Sequence, residues 1–343
     1  MVGMGVKIGS LFPSEQISFK DLHDRVIVID AYNVLHQFLA TIRQRDGTAL
    51  KNAEGKTTSH LSGLFYRTAN LVQNKIKPVY VFDGKPHQLK QETIDERNRR
   101  RLQAEEDWKD ALEKGDTEKA RVKAQQTSRV TDEIVEQSKT LLDILGIPYV
   151  QAPEEGEAQA SYMVRKGDAY AVGSQDFDCL LIGSPVLIRN LTSASKRKLP
   201  GKKAYTTVHP ERIYLKHTLE KLGISQKQLV DMAILMGTDF NQGIKGIGPK
   251  KSLNLIKKNG NIENVISTIG SDQAPTFEKI KQIRSLFLNP QTTDDYDLSW
   301  SSPDEDELIG FLHDEYQFST NRIRSMLSKF EPMKEMKKQQ TLF

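Results

Sequence analysis

The sequence predicts an α/β protein built around a mostly parallel sheet, and two observations carry that prediction. Short β-branched runs alternate with helix-length periodic segments, which is the pattern of strand, crossover helix and next strand. Acidic residues follow successive runs in the same phase, and ligand sites of open parallel sheets lie at the carboxyl ends of the strands.

Taken in order, the first run is Val26-Ile-Val-Ile29, followed by Asp30, and the second is Val79-Tyr-Val-Phe82, followed by Asp83. The third, Ile147-Pro-Tyr-Val150, leads to Glu155 and Glu157. The fourth, Tyr170-Ala-Val172, leads to Asp176 and Asp178, and Val186-Leu-Ile188 is the fifth. One acid after a strand commonly caps a helix or closes a turn. Four consecutive strand ends in phase are not explained that way. From about His87 to Lys139 the chain is highly charged, with apolar residues such as Leu102, Trp108 and Val122 thinly spaced. That stretch predicts a long helical insertion, either a protruding pair or a gate, whose apolar face is too narrow to be core. Between two helix-like segments spanning about 226–260 lies Gly243-Ile-Lys-Gly246-Ile-Gly248-Pro-Lys-Lys251, with Pro249 suited to a first helical turn. The stretch from Met333 to Phe343 reads as a flexible, basic tail.

Composition narrows the class. The 37% apolar and 27% charged fractions are those of a soluble globular chain, and 343 residues permit one large domain or two ordinary ones. No stretch approaches the ~20 apolar residues needed to span a bilayer, and no signal-peptide pattern opens the chain. Cys179, the single cysteine, rules out an internal disulfide and reads as a buried thiol in a reducing compartment. The net charge of +4 is modest. The basic residues cluster, however: Arg97, Arg99, Arg100 and Arg101; Lys196, Arg197, Lys198, Lys202 and Lys203; Lys250, Lys251, Lys257 and Lys258. Each cluster is either a solvated face or part of a polyanion-binding surface.

Acids gathered at neighbouring strand ends repel one another unless cations balance them, so the cluster predicts metal ions. Oxygen-only ligands select hard ions, Mg²⁺ or in its place Mn²⁺, and no Cys/His cluster suits Zn²⁺. Two such ions roughly 4 Å apart activate water and stabilise a leaving oxygen, the chemistry of phosphodiester hydrolysis. Asp176 and Asp178 share a side only if their segment is extended. Glu155 is expected in a loop or first helical turn, where the helix dipole eases its charge. Lys90 and Arg97 are seven residues apart, two turns on one helix face, and suit either a phosphate above the metals or ion pairs with Glu92 or Glu96. In the glycine-rich hairpin, backbone N–H groups and the charges of Lys250 and Lys251 suit a phosphate, and its free carbonyls a monovalent cation.

These motifs together resemble the flap endonucleases, 5′ nucleases of DNA replication and repair, and the archaeal branch in particular. The resemblance runs through Val-Ile-Asp30-Ala, Thr-Thr-Ser-His-Leu at 57–61, Phe-Tyr-Arg67-Thr, Pro-Val-Tyr-Val-Phe-Asp83-Gly-Lys-Pro, Pro-Glu-Glu155-Gly-Glu157-Ala, Asp176-Phe-Asp178-Cys, Gly237-Thr-Asp239 and the hairpin. It implies a PIN-like α/β core, a single nuclease domain over 4–332, and cutting of branched DNA one nucleotide into the duplex at the base of a 5′ flap, with 5′-3′ exonuclease activity and 5′-phosphate products. Asp30, Asp83, Glu155 and Glu157 would serve one Mg²⁺, and Asp176, Asp178 and Asp239 the other. Asp239, which the strand argument does not place, enters here. Lys90 and Arg97 would assist at the scissile phosphate. Arg43, Arg67, Glu155, Gly237, Asp239, Gly246, Gly248, Lys250 and Lys251 would contact DNA, and the charged insertion would be an arch threaded by the single-stranded 5′ end. A monomer in the archaeal cytoplasm, at the nucleoid and without membrane contact, is implied.

Three departures bear on the resemblance. His36 stands where the family carries a base-stacking aromatic. The family's Met-Gly start matches Met4-Gly5, so native protein is expected to begin at Gly5. The tail motif for the sliding clamp (PCNA), Gln-x-x-Leu-x-x and two aromatics, stops short after Gln339, Leu342 and Phe343, which predicts weakened clamp binding. Rival readings are a 5′ exonuclease, a bubble-cutting repair nuclease and a non-catalytic DNA-binding scaffold whose acids are only caps.

Overall fold

The computed structural model describes residues 6, 8–44, 46–193, 196–198, 205–270 and 274–333. The proposed start at Gly5, Lys202, Lys203 and the clamp-motif residues Gln339, Leu342 and Phe343 lie outside them.

All five β-branched runs are strands. β1 (Glu15–Gln16) precedes β2 (Val26–Asp30), β3 (Lys77–Phe82), β4 (Tyr149–Gln151), β5 (Ala171–Gly173) and β6 (Val186–Arg189). β7 (Lys196–Lys198) and β8 (Tyr205–Thr207) form a separate antiparallel ribbon, so part of the second basic cluster lies on a hairpin. β9 (Glu211–Tyr214) returns to the main sheet, whose order is β1-β9-β6-β5-β2-β3-β4. From β6 to β4 every pairing is parallel. The β9 and β1 end is antiparallel, an edge the β-branched runs did not signal because Glu15–Gln16 carries none. Ile27, Val28, Ile29, Val79, Val81, Val172, Leu187 and Ile188 are fully buried, which explains their near-continuous apolar character. Buried polar atoms among them are paired. The Tyr80 hydroxyl meets Thr68 Oγ1 at 2.9 Å, and Trp300 Nε1 donates to the Pro78 carbonyl at 2.9 Å.

Helices α1 (Ala31–Thr41), α2 (Ser59–Gln73), α3 (Gln91–Glu113), α4 (Thr117–Ala124), α5 (Asp132–Ile144), α6 (Gly156–Lys166) and α7 (Asp178–Leu181) fill the crossovers. α1 packs on α2, α2 on α5, and α6 against β2, β3 and β5. α3 and α4 form the charged helical pair. They meet through small side chains, and Ala104, Ala111, Ala120 and Ala124 are the residues buried there. The expected insertion over 87–139 runs too far, because α5 begins at Asp132 and buries Ile134, Val135, Leu141 and Leu142 in the core. Thr131 caps that helix and Asp132 and Glu133 suit its dipole, which is why a core helix began on charged residues.

Downstream come α8 (Leu215–Leu222), α9 (Gln226–Met236), the small β10–β11 ladder (Gly237–Thr238 with Asn241–Gln242), α10 (Pro249–Asn259), α11 (Ile262–Ile269), α12 (Phe277–Leu288), α13 (Glu305–Ile309) and α14 (Thr320–Leu327). A capping box of Ser225 and Gln228 opens α9, and Pro249 occupies the first turn of α10. Met333, counted with the tail from its sequence, is instead fully buried with Phe330. Among the described residues no helix is long and apolar enough to cross a membrane.

His60, from the 57–61 motif, is wholly buried and neither ring nitrogen has a hydrogen-bond partner among the described residues. Burial pushes its pKa down to about 4. The folded chain therefore keeps His60 neutral, while the unfolded chain protonates it near the ordinary value of about 6.5. Its contribution is complete above that value and is lost as pH falls from 6.5 towards 4. Urea unfolding at pH 7.5 and pH 5 should show a loss of roughly 2 kcal/mol from this residue, and His60→Leu should flatten the difference by that amount. An unchanged pH response in the variant refutes the assignment.

Candidate active site

Four adjacent parallel strands, β4, β3, β2 and β5, deliver acids at one end of the sheet. Asp30 ends β2 and caps α1, with Oδ1 accepting the Asn33 N–H at 3.0 Å. The capping role expected of a lone acid is therefore real, and it orients the carboxylate. Asp83 follows β3, and its Oδ1 accepts the Gly156 N–H at 2.6 Å, so an acid from one strand caps the helix that follows another. Glu155 is the N-cap residue of α6 but does not cap with its side chain; it forms an ion pair with Lys90. Glu157 lies in the first turn of α6 and accepts from Ser174 Oγ at 3.2 Å.

Asp176 and Asp178 reach the same place by a route the spacing did not predict. The segment is not extended. Ser174 Oγ accepts the Asp176 N–H at 3.2 Å and bends the chain, and Asp178 is the first residue of α7. Asp176 Oδ2 accepts from Asn33 Nδ2 at 2.7 Å, and Asp178 Oδ1 from the Val6 N–H at 2.9 Å. Asp239 sits in the turn between β10 and β11, 2.5 Å from Arg97 Nη2 and 3.5 Å from Lys90 Nζ. Lys90 immediately precedes α3 and Arg97 lies within it, and both turn to the acids. Their expected rivals are engaged elsewhere, Glu96 with Arg100 and Glu92 with Gln242.

The acids form one electrostatic unit. Burial first, then Asp83 and Asp176, hold the Asp30 carboxyl well above the usual range. Burial, Asp178, Asp30 and Asp176 do the same to Glu157. Asp83 is pushed up to about 6 by burial and Glu155, and Asp178 to about 7 by burial and Asp239. Burial alone would discharge Lys90, but Glu155, Asp239 and Asp83 outweigh it and hold the ammonium above the ordinary lysine value. His36 is pushed down to about 4 by burial and by Arg97 and Arg101, which makes it a neutral ring beside the basic helix.

Lys90 and Arg97 do not neutralise seven carboxylates, and the raised pKa values reflect burial first and then the repulsion that is left. An all-oxygen donor set with excess negative charge fits hard divalent cations. Among the described residues no three acid, histidine or cysteine side chains close on one point as a finished cage. The acids instead ring a basin, which suits Mg²⁺, an ion held by few direct carboxylates and several waters.

Gly156 shows how tightly the basin is built. A Cβ there would stand 2.6 Å from Asp83 Oδ1. Gly156→Ala is expected to leave stability within about 1 kcal/mol, since alanine favours the helix, yet to cut hydrolysis on the order of 10–100-fold by displacing Asp83. Full activity in a folded Gly156→Ala protein counts against a working role for Asp83.

Gly246 and Gly248 are exposed with open space where a Cβ would be, and Lys250 and Lys251 are exposed in the first turn of α10. Gly237 differs. A Cβ there would meet the Gly243 nitrogen at 2.7 Å, so it serves the turn and not an open surface. Arg43 is held by the protein: Nε donates to the Leu39 carbonyl (2.7 Å), Nη1 to that of Gly47 (2.9 Å) and Nη2 to Thr127 Oγ1 (3.5 Å). It braces the end of the helical pair against α1. Half-buried Arg67 has no ion-pair or hydrogen-bond partner among the described residues. Sequence reasoning missed Asn33, Ser174, Gly156 and the Val6 N–H. Asn33, three residues after Asp30, and Ser174, two before Asp176, are short polar residues beside acids, a signal too common to single them out.

The chain is similar to known proteins over nearly its whole length. The XPG N-terminal domain matches residues 4–104 and the XPG I-region residues 146–239. Flap endonuclease 1 of Pyrococcus abyssi is 49% identical over 99% of this chain and 97% of its own. Flap endonuclease 1 of Methanosarcina barkeri is 50% identical over 96% of each. Among solved structures, flap endonuclease-1 from Methanococcus jannaschii superposes with a TM-score of 0.76 at 42% identity, covering 97% of this chain and 100% of that one. The catalytic core of Rad2 in complex with DNA substrate gives 0.67 at 25% identity, over 94% and 97%.

Proposed function

The chain belongs to the flap endonuclease 1 family and is a structure-specific, metal-dependent nuclease that hydrolyses DNA phosphodiester bonds at 5′ flaps; we propose that Asp30, Asp83, Glu155, Glu157, Asp176, Asp178 and Asp239 do so with two Mg²⁺ ions. The observation that carries the reading is the convergence of these acids from four adjacent strand ends and one turn beside Lys90 and Arg97. The first four acids are assigned to one ion and the last three to the other. Bound there, the ions supply Lewis-acid activation of water and stabilise the leaving 3′ oxygen, which gives a 5′-phosphate product.

The chain's own residues prepare the rest. Lys90 keeps its Nζ proton and, with Arg97, offers positive charge at the basin's rim, where a phosphate can displace Glu155 and Asp239 as partner. Arg67 faces no competing protein partner among the described residues and is assigned to the DNA backbone. The open glycines Gly246 and Gly248 let the duplex backbone approach, and Lys250 and Lys251 add charge without reading bases. His36 offers a neutral ring for weak stacking on a base. Replication and repair of DNA fit this activity. A 5′-3′ exonuclease action, a monovalent cation at the hairpin, a monomeric state and a weakened clamp contact through Gln339, Leu342 and Phe343 complete the proposal.

The test is a cleavage series with gapped-flap, nicked-duplex and bubble substrates, in Mg²⁺ and in chelator. Cutting is expected with Mg²⁺ and best at the flap; cutting in chelator refutes the metal reading, and a preference for bubbles refutes the substrate.

A further inference from the structure

Two neutral residues join the acids assigned to different ions. Asn33 is buried in the first turn of α1. Its backbone N–H is held by Asp30 Oδ1, and its Nδ2 donates to Asp176 Oδ2, 143 residues away in sequence, at 2.7 Å. Ser174, also buried, donates through Oγ to Glu157 and accepts the Asp176 N–H, each at 3.2 Å. Asp30 and Glu157 belong to the first set of acids and Asp176 to the second. Both contacts therefore cross from one set to the other, and both end on Asp176.

We propose that Asn33 and Ser174 are positioning residues that fix the separation of the two metal-holding acid sets by bridging them through Asp176. The inference rests on the two-ion reading above. The Asn33 amide fixes the Asp176 carboxylate, and the Ser174 bond to the Asp176 N–H fixes the backbone that carries it. The residue types suit the task. Near a helix N-terminus the dipole favours an acid, and asparagine is an indifferent helix former. A further acid at position 33 would, however, add to an already repelling cluster. A lysine would satisfy Asp176 but compete with an ion for it. A neutral amide donor avoids both. Serine at 174 supplies a donor and an acceptor in one hydroxyl, so it can hold a carboxylate and a backbone N–H together.

Loss of an outer partner of this kind typically reduces metal affinity or activity 10–100-fold. The experiment titrates Mn²⁺ into the full-length protein without DNA and follows it by electron paramagnetic resonance. That method counts free Mn²⁺ and separately detects the spin-coupled signal of two ions a few ångströms apart. Asn33→Leu and Ser174→Ala should each raise the Mn²⁺ concentration needed for the coupled signal by about 10–100-fold. Ser174→Thr, which keeps the hydroxyl, should stay within about threefold of the parent. The Mg²⁺ concentration for half-maximal flap cutting should move in parallel, with KM for flap DNA unchanged. Thermal unfolding in chelator checks that each variant is folded, and the mild Ser174→Ala change keeps the test open should Asn33→Leu fail to fold. A purely structural role would lower the unfolding temperature and leave the coupled signal where it was. A parent that takes up no coupled pair overturns the two-ion reading and this proposal with it. A parent that does, matched by folded Asn33→Leu and Ser174→Ala proteins within twofold, overturns the proposal alone.

Discussion

Asp178→Asn is expected to bind flap DNA as the parent does and to cut it about a thousandfold more slowly or worse. Asn retains an oxygen that can accept the Val6 N–H bond now made to Asp178 Oδ1 at 2.9 Å, so the local geometry has every reason to persist. What disappears is one negative charge in a basin where Asp239 and Asp176 already oppose it. Relief of that repulsion should leave the variant in chelator at least as stable as the parent. With metal the sign reverses. Outer partners of metal ligands are worth 10–100-fold, and a direct ligand should exceed that range because it bears the ion's charge itself. Single-turnover cleavage at saturating Mg²⁺, beside flap-DNA binding in chelator, separates the two effects. Normal cutting by Asp178→Asn would remove the two-metal hypothesis and leave the acids as caps.

The largest stability effect is expected at Arg284. Its Nε and Nη2 grip the two oxygens of fully buried Asp231 at 2.6 and 2.7 Å, and it also pairs with Glu263, while Asp231 accepts the Ile262 N–H at 3.2 Å. The knot ties α9, α11 and α12 together. Removing one partner of a buried ion pair strands the other charge, so Arg284→Met should reduce unfolding free energy by about 3–5 kcal/mol. Asp231→Leu combined with Arg284→Met should recover part of that loss, because no charge is left stranded, although the Ile262 N–H loses its acceptor. Urea titrations of the parent, the single variant and the double variant decide the matter. A double variant no better than Arg284→Met would show that packing, not the stranded carboxylate, governs the site.

The strands were legible because burial on both faces forces continuous β-branched runs, and the phase of Asp30, Asp83, Glu155 and Glu157 followed from them. Asp239 had no such signal. Its turn follows a helix, outside the parallel sheet, and only the family resemblance singled it out. The condition that Asp176 and Asp178 share a side only in an extended segment was too narrow, because two residues of spacing also fit a serine-stabilised bend running into a helix. No local pattern encodes the contact of the Arg43 guanidinium with Thr127, 84 residues away. Asn33 and Ser174 were invisible for the same reason, since their meaning lies in what they touch across the fold. The end of the insertion was misread because charge in the first turn of α5 conceals an apolar face that begins two residues later.

The turn that carries Asp239 has a consequence for protein synthesis. Lys90 and Arg97 are made early in translation, but the acid that both of them contact is encoded some 140 codons later. Until the β10–β11 turn has left the ribosome, the growing polypeptide lacks Asp239, which Lys90 and Arg97 both contact. On the two-ion proposal, a chain that stops short of Asp239 should therefore fail to cut flap DNA, because one set of acids is incomplete and Lys90 and Arg97 lack the partner they share.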